Sequence, residues 1–119
     1  MKKIKYGGQY IDSKDQKTVL KSLQNDLITT GKNVKLFEDK IKKFVGSKYA
    51  VSCNSGTSAI HLALKSLKLK KKSVVIMPSI NFISAYNLCR LLDFKIFFTD
   101  VNSLTGQTTP ENIIKCIKI

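Results

Sequence analysis

An α/β fold, parallel strands joined by crossover helices behind an N-terminal helical segment, is predicted by three observations. Short apolar runs rich in β-branched and aromatic residues recur at Tyr49–Cys53, Val74–Met77 and Lys95–Thr99. Segments of helical length with apolar residues on one face separate them, which implies crossover connections and a parallel sheet. Turn residues close each run, at Asn54–Ser58, Pro78-Ser79 and Asp100, so candidate ligand-binding groups gather at the carboxyl ends of the strands. With 119 residues the chain is expected to bury one modest core. The expected division is a helical segment over 1–47 and the start of an α/β domain over 48–119.

Residues 6–12 read as extended or irregular. Ser13 with Gln16 three residues on is a capping-box pattern for a helix to about Asn25, with Val19, Leu20, Leu23 and Leu27 apolar. The β-branched run and glycine of Asp26-Leu-Ile-Thr-Thr-Gly31 break it. Asn33 can cap a second helix whose stripe is Leu36, Phe37, Ile41, Phe44 and Val45, and Gly46 supplies the stop. A lysine loop, Leu67–Ser73, leads to the second strand. Ser79 is the expected cap of a helix over 82–92, with Ile83, Tyr86, Leu88 and Leu91 apolar. Thr109, Pro110 and Glu111 then form a cap, first position and acidic first turn for a last helix carrying Ile113, Ile114 and Ile117.

The formal net charge is +13, which raises nucleic acid as a partner. Arg90 is the single arginine among 21 basic residues, and the lysines are spread over every expected helix except that over 82–92. Groove readers lean on arginine forks, so a basic nucleic-acid-binding module is the disfavoured alternative. No apolar stretch approaches the roughly 20 residues of a membrane span, and Met1-Lys2-Lys3 is not followed by a signal-peptide core, so a cytoplasmic protein without a membrane partner is expected. Cys53, Cys89 and Cys116 lie in apolar runs without metal-type spacing and are expected to be buried thiols; no metal site is expected. His61, on the helix expected to pack against the sheet, reads as structural.

The stretch Tyr49–Leu64 is read as strand, polar turn and helix. The first N–H groups of such a helix lack intrahelical partners and carry partial positive charge, so a phosphate fits there. Ser55, Thr57 and Ser58 add hydroxyls, and Gly56 lets the backbone come close to a ligand. The same residues also start ordinary capped helices, and composition leaves both readings open.

Asn54-Ser-Gly-Thr-Ser-Ala59 followed by His61-Leu-Ala-Leu64 resembles the signature of the sugar-nucleotide aminotransferases, pyridoxal-phosphate (PLP) enzymes of fold type I. The resemblance extends over essentially the whole chain, through Tyr6-Gly-Gly-Gln9, Leu27-Ile-Thr-Thr-Gly31, Phe37-Glu38 and Pro78-Ser-Ile-Asn-Phe82. It implies an incomplete PLP-dependent transferase large domain, with three strands and their crossover helices. The lysine loop departs from the glycine and proline usual in the family. The resemblance further implies that Ser55, Thr57, Ser58 and Phe82 bind PLP, Phe82 by stacking on the pyridine ring. Tyr6, Asp26, Leu27, Ile28, Thr29 and Gly56 would touch a UDP-sugar. The similarity is greatest to members that aminate C4 of a UDP-4-keto-6-deoxy-N-acetylhexosamine, with glutamate as amino donor, for surface-glycan biosynthesis.

In that family an acid in an Asp-x-Ala-His motif and a lysine after a serine-rich stretch complete the chemistry. Neither motif occurs here, so no catalytic residue is assigned. The resemblance therefore implies an N-terminal piece that is inactive alone and works as a homodimer or with a complementing C-terminal chain. Strand 49–53 would lack the partner it has in the complete sheet. A PLP-dependent sugar dehydratase, which shares this half of the sequence, remains the alternative enzyme class.

Overall fold

The computed structural model describes residues 7–118, so the expectation for Tyr6 lies outside the described residues. Two compact units are present, one ending at Ser52 and the other starting at Cys53.

The first unit holds helices α1 (Ser13–Ser22) and α2 (Lys32–Val45). The capping box of α1 sits one residue earlier than the sequence suggests. Asp12 Oδ1 accepts from the N–H groups of Lys14 (2.8 Å) and Asp15 (3.0 Å), and Asp15 Oδ2 accepts from Asp12 N–H (3.0 Å). Asp12 and Ser13 both suit the role, and Asp12 takes it because its backbone is extended (φ −107°, ψ −178°) while Ser13 is already helical. The helix also ends sooner, at a C-cap on Leu23. Asn33 does not cap α2: Gly31 holds that position at φ 137°, and Asn33 Nδ2 reaches back to Ser22 Oγ at 2.9 Å. At the other end Gly46 is left-handed (φ 68°), and it and Ser47 both donate to Lys42 O, the stop the sequence implies.

The second unit runs α3 (Gly56–Ser66), β1 (Val74–Pro78), α4 (Ile83–Leu91), β2 (Lys95–Thr99) and α5 (Pro110–Ile117). β1 and β2 are parallel, registered from Val74 opposite Lys95 to Pro78 opposite Thr99, with α4 as the crossover. Met77, Cys89 and Phe94 form the core, and Leu64, Val75, Tyr86, Leu92 and Ile96 pack around them. Each core residue comes from a different part of one βαβ unit, so the unit collapses on itself with very few buried side chains. Asp93, left-handed at φ 59°, turns the chain from α4 so that Phe94 N–H bonds Cys89 O at 2.9 Å and the ring points inward. Lys68 and Lys72 are left-handed too, at φ 50° and 65°, a conformation costing an L-residue about 1 kcal/mol. The lysine loop thus stores strain at two positions.

Two of the three expected strands form. Tyr49–Cys53 is not in a ladder, because a strand exists only against a neighbour and the two-stranded sheet is completed by β2. Backbone groups there bond side chains instead, with Tyr49 O accepting from Ser47 Oγ at 2.8 Å and Ser52 N–H donating to Glu38. The helix caps differ in the second unit as well. Ser79 is not the cap of α4; Phe82 holds that place without a side-chain bond. Thr109, by contrast, caps α5 as its sequence indicates, accepting from Asn112 N–H. Of the thiols only Cys89 is fully buried, at 2% exposure, and burial pushes its pKa up. Cys53 and Cys116 are half-buried, Cys116 donating to Phe98 O, because the core is too small to enclose them.

Candidate functional site

Helix α3 begins where the polar turn ends. Ser55 is its N-cap, in extended conformation, and Ser55 Oγ accepts from Ser58 N–H at 3.1 Å, while Ala59 N–H takes the first intrahelical bond to Ser55 O. Ser58 Oγ donates to Asn54 Oδ1 at 2.7 Å and lies 3.0 Å from Ser55 Oγ. Among the described residues, the backbone N–H groups of Gly56 and Thr57 and the Thr57 hydroxyl have no partner. They crown the positive end of a helix eleven residues long. A Cβ built on Gly56 meets nothing within 4 Å, so no protein atom fills that space. This donor set suits a phosphate ester: two main-chain amides, a hydroxyl and a helix dipole, with no carboxylate in the turn.

Phe82 follows the end of β1. Its N–H is bonded to Asn81 Oδ1 at 2.7 Å, and its ring is 74% exposed. The ring lines a groove of about 310 Å³ with Pro78, Asn81, Tyr86 and Phe98, and Tyr86 and Phe98 stack with centroids 5.9 Å apart. Phe82 is therefore not a core residue, and most of its surface is open to a ligand. His61 is half-buried on α3.

The segment Asp26–Thr29 belongs to the first unit. Asp26, Leu27 and Ile28 line a cleft of about 470 Å³ with Ser22, Gly31 and Asn33; Thr29 is exposed but does not line it. The cleft keeps its shape through Asn25 Nδ2 to Ser22 O at 2.9 Å and Asn33 Nδ2 to Ser22 Oγ.

Glu38, part of the Phe37-Glu38 pair noted in the sequence, has a role that sequence reasoning missed because its partner is fourteen positions away. Glu38 Oε1 on α2 accepts from Ser52 N–H at 2.8 Å and Ser52 Oγ at 2.9 Å. These bonds, the backbone one first, hold its carboxyl below the usual 4.5. A carboxyl depressed on folding stabilises the fold above its unfolded pKa, and that stabilisation is lost as pH falls through the folded value. Protection of the Ser52 amide, its exchange rate measured against an unstructured amide at the same pH, is accordingly expected to be lost as pH falls below the usual carboxylate range. Glu38→Ala is expected to remove that protection already at pH 6.

The sequence profile of the DegT/DnrJ/EryC1/StrS aminotransferase family matches residues 9–118. The chain belongs to this family. The UDP-4-amino-4,6-dideoxy-N-acetyl-beta-L-altrosamine transaminase of Campylobacter jejuni is 35% identical over 100 residues, 84% of this chain and 26% of that protein. The chain thus spans about a quarter of the length of the curated relatives it matches. Among solved structures, Helicobacter pylori PseC, an aminotransferase involved in the biosynthesis of pseudoaminic acid, superposes with a TM-score of 0.87 at 26% identity. That match covers 96% of this chain and 31% of PseC. Bacillus subtilis NtdA, with bound cofactor PMP, superposes at 0.79 and 25% identity over 89% of this chain and 25% of its own. The fold is thereby that of a partial fold-type I aminotransferase, as the resemblance implied, with the family's βαβ unit intact. No helix among the described residues is long and apolar enough to cross a membrane.

Proposed function

We propose that this chain carries the cofactor-phosphate turn and ring-stacking aromatic of a PLP-dependent aminotransferase that moves an amino group from glutamate to a UDP-4-keto-6-deoxy sugar. The observation that carries this reading is the uncommitted donor set at the start of α3, in a chain matched from residue 9 to 118 by an aminotransferase family. PLP, when bound, supplies the electron sink and the carrier for the amino group. The turn Ser55–Ser58 grips its phosphate, and the exposed Phe82 ring holds the plane of its pyridine, a contact worth roughly 0.5–1.5 kcal/mol beyond area burial. Gly56 presents its N–H and bare Cα at the same mouth, where the nucleotide-sugar passes. In the same reading Tyr6 and Asp26–Thr29, in the first unit, are sugar-nucleotide contacts in their own right, chiefly through main chain.

The 119 residues hold no counterpart of the acid and lysine motifs, so in this reading they bind the cofactor, and the groups that carry out its chemistry lie outside them. Equilibrium dialysis of the full chain against PLP and against pyridoxal, which lacks the phosphate, tests the reading. PLP is expected to be retained at least about tenfold better, as one charge-assisted anion contact allows. Equal retention of the two would defeat the assignment.

A further inference from the structure

Three hydroxyl and amide groups in the turn form a directed chain. A hydroxyl has one proton to give, and the Ser58 proton is committed to Asn54 Oδ1 at 2.7 Å. The 3.0 Å contact between the serine oxygens is therefore filled by the Ser55 proton, donated to Ser58 Oγ. Ser55 Oγ in turn accepts the Ser58 N–H. Both serine protons are thus held inside the turn, ending on Asn54, and neither points out of the helix end. The donors left for a ligand are Gly56 N–H, Thr57 N–H and the Thr57 hydroxyl.

Resting on the phosphate reading above, we propose that Asn54 is a positioning residue. By taking the Ser58 proton it locks the Ser55–Ser58 pair as scaffold, so that the phosphate of PLP is met by the Gly56 and Thr57 amides and the Thr57 hydroxyl. Asn54 acts through Ser58 and does not touch the ligand. Without it the Ser58 hydroxyl rotates freely, the cap loosens, and the Gly56 and Thr57 amides are held less firmly at the helix end. Non-additivity is the signature, since residues acting through one hydrogen bond fail together.

The test is a double-mutant cycle on the full chain, read by equilibrium dialysis against PLP and pyridoxal. Asn54→Ala and Ser58→Ala are each expected to lower PLP retention about tenfold while leaving pyridoxal unchanged, and the double variant to fall no further. Additive losses, about a hundredfold in the double variant, would mean two independent contacts and overturn the role of Asn54 alone. Equal binding of PLP and pyridoxal by the unsubstituted chain would overturn the phosphate reading and this role with it. Should Asn54→Ala not fold, Ser58→Ala removes the same proton and leaves a good helix former; unchanged phosphate selectivity in it overturns the proposal.

Discussion

Gly56→Ala is expected to leave the chain folded while abolishing the preference for PLP over pyridoxal. The fold has no objection to a methyl group, since the position is helical and nothing lies within 4 Å of the built Cβ. Exchanging glycine for alanine at a compatible helical site stabilises by about 0.4–1 kcal/mol, largely by restricting the unfolded chain. Yet every Cα–Cβ bond in a helix tilts toward the N-terminus, so the new methyl at the first position projects into the mouth where an anion would approach the Gly56 and Thr57 amides. A rise of a few degrees in melting temperature together with a loss of phosphate selectivity of more than about tenfold is the expected pair of results. A melting temperature that rises with selectivity unchanged would show that nothing docks at this helix end.

The largest stability effect is expected at Phe94. Its ring is 7% exposed and forms, with Met77 and Cys89, the buried cluster of the second unit. Phe→Ala in a core costs about 3–5 kcal/mol, as lost burial plus the cavity left behind. Folded domains hold only about 0.05–0.15 kcal/mol per residue. A unit of this size therefore has little more stability than that one ring contributes, and Phe94→Ala is expected to unfold it, with loss of the β1–β2 ladder amides from a protected exchange pattern. Phe97→Ala is the control: at the middle of β2 but 40% exposed, it is expected to cost well under half as much. Equal behaviour of the two variants would mean that the cluster is not what holds the βαβ unit.

The second strand, the third strand and the last helix were legible in the sequence because each is set locally. Val74–Met77 and Lys95–Phe98 are β-branched and aromatic, Pro110 pre-sets the first helical turn, and Thr109 and Gly46 act on bonds a few residues away. The Asn54–Ser58 turn was legible for the same reason: five consecutive residues contain both the cap and the donors. Where two neighbours could serve, as Asp12 and Ser13 or Gly31 and Asn33, sequence alone favoured the wrong one, since the choice depends on which backbone is extended and which side chain has another partner.

What sequence by itself determined is the order of elements and the chemistry at the opening of α3, because both rest on interactions spanning no more than one helical turn. Tertiary structure alone decided the rest. Tyr49–Cys53 has the composition of a strand but pairs with nothing, its Ser52 amide drawn instead to Glu38 fourteen residues back. Phe82 and Phe94 are the same residue type twelve positions apart, one left open beside a groove and the other turned into the core by a left-handed Asp93. Hydrophobicity tells that a ring gains by leaving water; only the path of the chain decides which ring finds others to leave it with.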